Sequence, residues 1–150
     1  MEGREIVEIN ETIHYEELMD LFFRNGLEIT AEEPVPTDIV KGWKAEIGGR
    51  LIGGCVLSLR QGDFIIDGIA IEPEFRNTKT GSMLLACALD ETRKRGGESV
   101  YLVAKAPGFF KKQGFNSVER DTAPLFFECF SCPQYLKTCF PEVMQYRIDQ

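Results

Sequence analysis

Basic residues are in deficit: 17 lysines and arginines stand against 24 aspartates and glutamates, a formal net charge of -7. Such a balance argues against nucleic acid or an anionic membrane as the main partner, because binding a phosphate polymer needs an excess of positive charge. A local basic patch remains compatible with one small phosphorylated ligand. Long apolar runs are missing as well. The longest are short strands and an interrupted helix, well below the roughly 20 residues that cross a bilayer. The N-terminus lacks the basic, apolar and small-residue regions of a signal peptide, so none is expected. Internal repeats, low-complexity tracts and interdomain linkers are absent too. The 150 residues are therefore expected to form one domain, 1–150, long enough to bury a substantial core. Histidine is reduced to His14, which reads as a polar surface or capping residue rather than a catalyst. Cysteine is odd in number, five, and Cys55 and Cys87 fall inside apolar segments. Both features fit a reducing compartment, and the expected location is cytoplasmic.

What is present divides by its period. Glu5 to Ile9 reads as a short strand with alternating character. Tyr15 to Phe23 carries Leu18, Leu21 and Phe22 at helical spacing and stops before Asn25-Gly26. Glu32 to Pro36, acidic and holding two prolines, predicts a loop or the entry to a second short helix. Trp43 to Ile47, Gly48-Gly49 and Arg50 to Leu59 read as two strands joined by a glycine hairpin. A second turn at Gln61-Gly62-Asp63 leads into a third strand, Phe64 to Ile71. The period then changes. Thr80 to Arg95 puts Leu84, Leu85, Ala88, Leu89 and Thr92 on one side and Asp90, Glu91, Arg93 and Lys94 on the other, an amphipathic helix closed by Gly96-Gly97. A buried strand, Ser99 to Ala104, a short helix, Pro107 to Gln113, and strands at Phe115 to Glu119 and Val143 to Ile148 complete the order. The expected class is α/β (α+β), with a mixed sheet in one domain.

Within this order lies the segment Asp67-Gly-Ile-Ala-Ile-Glu-Pro-Glu-Phe-Arg76-Asn-Thr-Lys-Thr-Gly81-Ser-Met-Leu-Leu85. Further on stands Ala106-Pro-Gly-Phe-Phe110-Lys-Lys-Gln-Gly114-Phe115. Together they resemble the GNAT superfamily of N-acyltransferases. The first resembles that family's [Q/R]-x-x-G-x-[G/A] loop, with its first position at Arg76 and its last at Gly81, and the second resembles its A-x-x-F-Y-x-x-x-G-F element. Either motif alone is weak; their order, spacing and strand-helix context together are fairly specific. The resemblance implies a mixed, mainly antiparallel sheet flanked by helices and acetyl-CoA as co-substrate. It also implies an N-acetyltransferase that acts on a primary amine by direct transfer. The implied cofactor site comprises Ile69, Ile71, Arg76, Asn77, Thr78, Lys79, Thr80, Gly81, Ser82 and Phe110.

The physical chemistry of that segment agrees. A strand running through a glycine-containing loop into a helix leaves backbone N–H groups unpaired at the helix start, and the helix dipole adds positive potential there. Pyrophosphate suits such a place. Arg76 and Lys79 add charge, and Gly81, without a Cβ, allows close approach. Backbone groups at Ile69 and Ile71 are the implied partners of the pantetheine amides and of the thioester oxyanion. Asp67 is the candidate general base for the substrate ammonium, with Glu72 and Glu74 as competitors. Two positions depart from the family pattern. Lys79 replaces its middle glycine, and either its Cβ displaces the loop or its ammonium reaches a phosphate. Phe110 replaces a tyrosine that protonates the departing thiolate in many members. A thiol of pKa about 8.5 is a fair leaving group without full protonation.

The tail, Glu128-Cys129-Phe-Ser-Cys132 to Cys139 and Met144, is similar to that of stand-alone amino-acid N-acetyltransferases of the N-acetylglutamate synthase kind. For Cys129, Cys132 and Cys139 three readings stand open: a zinc site lacking an evident fourth ligand, a redox pair, or small buried thiols. Phe126, Phe127, Phe130, Tyr135 and Phe140 form an aromatic cluster. It suits core packing, a homodimer interface or a lid over the acceptor pocket.

Overall fold

The structure is a computed structural model, and it describes residues 6–25, 38–60, 62–76, 79–104, 108–118 and 142–148. In chain order its elements are β1 (Glu8–Thr12), α1 (Tyr15–Arg24), β2 (Asp38–Ile47), β3 (Arg50–Arg60) and β4 (Asp63–Ile71). There follow a 3-10 turn (Pro73–Phe75), α2 (Thr80–Lys94), β5 (Ser99–Ala104), α3 (Gly108–Lys112), β6 (Asn116–Ser117) and β7 (Glu142–Arg147). The loop at 32–36 and the cysteine- and aromatic-bearing segment at 125–140 lie outside the described residues.

The strands make one seven-stranded sheet in the order β1-β2-β3-β4-β5-β7-β6. β1 to β4 form an antiparallel meander. β5 lies parallel to β4, as a strand must when a helix, here α2, carries the chain across. β7 then inserts between β5 and β6, antiparallel to both. The result is the expected mixed, mainly antiparallel sheet flanked by helices.

The hairpin between β2 and β3 turns on Gly48 and Gly49, with φ of 55° and 84°, the pair of positive angles that matches strand twist in a two-residue loop. Three strands depart from the sequence expectation by more than one residue. The first strand is Glu8–Thr12 rather than Glu5 to Ile9, because its register is set by pairing with Gly42–Glu46 of β2. β2 begins at Asp38, five residues before Trp43. Lys41 and Gly42 hide that start by breaking the apolar alternation, and a register shift lies between Ile39 and Lys41. β6 shrinks to Asn116–Ser117, since Phe115 turns into the core at 1% exposure.

The sheet is covered on two faces. On one, α2 lays Leu84, Leu85 and Ala88 onto a cluster with Cys55, Leu57, Ile66, Val100, Leu102 and Phe115. On the other, α1 lays Leu18, Leu21 and Phe22 onto Val56 and Ala70. Gly68 permits the second contact: a Cβ there would stand 2.4 Å from Phe22 Cε2. Since Phe22 is itself buried at 2% exposure, Gly68→Ala is expected to cost about 1–3 kcal/mol by overpacking. Urea unfolding measures the loss, and Phe22→Leu in the same chain should recover part of it.

Candidate functional site

The site begins where two strands part. β4 and β5 pair only at Phe64↔Val100 and Ile65↔Tyr101, although β4 runs on to Ile71 and β5 to Ala104. Beyond Ile65 the edge of β4 faces a gap. Which backbone groups look into it follows from register. Glu72 N–H donates to Ile52 carbonyl at 2.8 Å, one residue past the pair Gly53↔Ile71. That makes Ile71 a non-hydrogen-bonded position toward β3, so its own N–H and C=O point the other way, into the gap. Ile69, opposite Cys55, has the same sense by the two-residue period. The Ile69 and Ile71 backbones singled out in the sequence thus line the opening.

Between Gly68 and Ile66 the register slips: Val56 pairs with Gly68 and Leu57 with Ile66. Asp67 is the extra residue, a β-bulge two positions past the last β4–β5 pair. Its side chain is exposed, and Ser58 Oγ donates to its Oδ2 at 3.1 Å. The two competing acids are engaged elsewhere. Glu72 accepts from Arg24 at 2.7 Å and from Asn25 at 3.2 Å. Its hydrogen bond from Arg24 is the chief reason that its carboxyl lies below the usual carboxylate range. Glu74 pairs with Arg50 at 2.8 Å, both largely exposed.

The chain leaves β4 through Glu72-Pro73 and the 3-10 turn and re-enters order at Lys79; Asn77 and Thr78 lie outside the described residues. Lys79, the residue in place of glycine, takes φ 55° and ψ 5° at the N-cap of α2 and makes no side-chain cap. It therefore holds the left-handed conformation that a glycine would adopt freely. The first turn of α2 contains no acidic residue, whereas that of α1 contains Glu16 and Glu17. The positive end of the α2 dipole is thus left without a carboxylate of its own turn and suits an anion. Ser82 is half-buried in this turn and Thr80 is buried.

Arg76, expected to add charge to the phosphate loop, is held differently. Its Nε donates to the Ile71 carbonyl at 3.0 Å and its Nη2 to Asn25 Oδ1 at 2.8 Å. Asn25 in turn donates to Glu72 and to the Leu21 carbonyl, at 3.2 and 2.9 Å. The guanidinium ties the end of β4 to the end of α1, and Lys79 is the exposed cation beside the helix start.

The second motif meets the first in space. Phe109 Cζ lies 3.1 Å from where a Cβ on Gly81 would stand. Phe110 packs edge-on to Phe109 and to Phe115, with ring centroids 5.1 and 5.8 Å apart. Phe110 is half-buried and presents a ring without a hydroxyl. Cys55 and Cys87 are free thiols whose pKa values are raised, chiefly by burial. Among the described residues no cluster of histidine, cysteine and carboxylate ligands is placed to hold a metal, and no helix is long and apolar enough to cross a membrane. Sequence reasoning missed Ser58 and Asn25. The signal for Ser58 was its place as the lone hydroxyl in the apolar run of β3; Asn25 had been read only as a helix stop.

Comparison with known proteins agrees with this geometry. The acetyltransferase (GNAT) family matches residues 4–115. An uncharacterized N-acetyltransferase of Chlorobaculum tepidum is 28% identical over 93 residues, 60% of this chain and 60% of that protein, so the match spans about three fifths of the relative. Among solved structures, a GNAT acetyltransferase of Staphylococcus aureus superposes with TM-score 0.71 at 16% identity, covering 95% of this chain and 99% of that one. An N-acetylglutamate synthase of Neisseria gonorrhoeae, complexed with coenzyme A and N-acetyl-glutamate, gives TM-score 0.70 at 18% identity over 99% of this chain and 36% of that one. At such identities these two likenesses concern the fold.

Lys79 yields a test of loop strain. Lys79→Gly removes the left-handed strain and is expected to raise unfolding stability by about 1 kcal/mol, net of the added freedom of the unfolded chain. Equilibrium denaturation measures it, and an unchanged or lower stability would contradict the strained geometry.

Proposed function

Because the chain belongs to the GNAT acetyltransferase family, we propose that it transfers an acetyl group from acetyl-CoA to a primary amine by direct attack in a ternary complex. The acceptor is an amino acid or other small metabolite, and residues 1–150 fold as one acyltransferase domain in the cytoplasm. The observation that carries the reading is the gap between β4 and β5, lined by the Ile69 and Ile71 backbones and followed by the acid-free start of α2. An extended pantetheine arm adds to such a strand edge as another strand would, and its pyrophosphate reaches the helix start. Support for an amino acid comes from the Neisseria structure, which is complexed with coenzyme A and N-acetyl-glutamate. The net charge of -7 favours a small substrate over nucleic acid or membrane.

Direct transfer needs a base and a donor for the oxyanion, and residues are at hand for both. Asp67, in the bulge beside the gap, takes the proton of the substrate ammonium, directly or through water. The freed amine attacks the thioester carbon. Its oxygen gathers negative charge and is held by the N–H of Ile69, a preorganised donor that needs no particular side chain. The tetrahedral intermediate collapses, breaking the carbon–sulfur bond, and the nitrogen gives up its second proton to solvent or to the departing CoA thiolate, which receives none from Phe110. Among the described residues Cys55 and Cys87 are poor candidates for an acyl-enzyme, since burial keeps both thiols protonated.

The test is thiol release from acetyl-CoA with a panel of L-amino acids and simple diamines, with the N-acetyl product identified by mass. Asp67→Asn is expected to lower kcat by about 10²-fold or more while leaving the KM for acetyl-CoA near its wild-type value. Lys79→Ala should weaken CoA binding in calorimetry by about 5- to 10-fold, an effect that shrinks as salt rises. Binding of acetyl-CoA with no thiol released for any amine would instead mark a CoA-binding module with lost catalysis, a reading that Lys79 and Phe110 favour.

A further inference from the structure

β3 crosses the centre of the sheet as an apolar run. Ile52, Cys55, Val56 and Leu57 are all fully buried, at 0% exposure, and serve as core. Ser58 interrupts that run while sharing its burial, also at 0% exposure. A hydroxyl in such a place must find a partner, because an unpaired buried donor is costly. The partner it has is charged: Ser58 Oγ lies 3.1 Å from Asp67 Oδ2.

Two features of the sheet create this pairing. Ser58 stands opposite Ile65, the last residue of β4 that pairs with β5. The bulge then adds Asp67 between Ile66 and Gly68. Gly68 faces Phe22 on the α1 side, and Ser58 looks to that side too, since its neighbour Leu57 packs on the α2 side. The bulge therefore brings Asp67 to the α1 face at the point where the gap opens, within reach of the buried Ser58 hydroxyl. Ser58 is a donor fixed in the central strand, so its hydrogen bond favours one orientation of the Asp67 carboxylate. A hydrogen bond to a charged acceptor is also stronger than one between neutral groups.

We propose that Ser58 is a positioning residue of the acetyl transfer, which holds the Asp67 carboxylate in the orientation that receives the proton of the acceptor amine. The proposal rests on Asp67 as the base. Ser58 touches no reacting atom; it acts only through Asp67.

That dependence is what a double-mutant cycle measures. The reaction is acetyl-CoA with the L-amino acid of the panel that is turned over fastest, followed by thiol release. Ser58→Ala is expected to lower kcat about 10-fold, as for a slightly misplaced catalytic group, with the KM for acetyl-CoA unchanged. Ser58→Cys, which nearly keeps the volume but donates weakly, should lose about as much and guards against a packing defect in the alanine variant. In a chain that already carries Asp67→Asn, Ser58→Ala should cost nothing further, because no base remains to be oriented. Wild-type kcat in both Ser58 variants, or an equal loss in the Asp67→Asn background, overturns the positioning role and leaves the acetyltransferase reading intact. Full activity of Asp67→Asn alone, or no thiol release by the wild type with any amine, overturns the base assignment and this inference together.

Discussion

Everything at the candidate site depends on a parallel pair that stops being a pair. β4 and β5 hydrogen-bond at two positions and then separate, so the far half of β4 carries backbone donors and acceptors that its neighbour strand does not serve. Backbone groups placed in a protein interior without partners are destabilising, and sheets rarely leave a central edge open. Here the separation is built in. β5 takes its other neighbour, β7, along its whole length from Ser99 to Ala104. β4 keeps β3 along its own, from Asp63 to Ile71. Each strand is anchored on its outer side, and the inner sides can diverge without loosening either.

The two helices are fitted to that opening from opposite faces. α2 follows β4 and brings its N-terminus to the end of the strand, with Gly81 against Phe109 so that the two sequence motifs meet. α1 covers the other face, over Gly68, and its last residues reach the same strand end through Asn25, Arg76 and Glu72. Arg24 reinforces the corner through Glu72 and through Asp20. The end of β4 is thus held from three sides: by β3, by the loop that leads to α2, and by the C-terminus of α1. Arg76, read in the sequence as part of the phosphate loop, also braces this corner.

Much of the architecture was legible beforehand. Helices α1 and α2 were visible as runs of apolar residues at helical period, and the meander as short apolar strands separated by Gly48-Gly49 and Gln61-Gly62-Asp63. The loop from Arg76 to Ser82 and the Phe109-Phe110 element stood in the right order. What failed were edges. The start of β2 was hidden behind Lys41 and Gly42, and Gly42 is there because a Cβ would stand 2.9 Å from Tyr15, a contact between residues far apart in the chain. β1 was misplaced by three residues, because a short strand has no register until its partner supplies one.

The sequence by itself determined the periods, the turns and the kind of ligand that the segment after β4 suits, because these are local properties: helix and strand spacing, glycine at tight turns, a helix start with no acid in it. Only the tertiary structure decided which backbone groups face the gap, since that depends on whether each pair with β3 is hydrogen-bonded or not. It also gives the three acids different surroundings. Asp67, Glu72 and Glu74 are equivalent carboxylates along the chain. In the fold, Glu72 and Glu74 are committed to arginines, while a bulge carries Asp67 to a buried serine at the mouth of the opening. Long-range pairing sets those surroundings, and no local pattern records it.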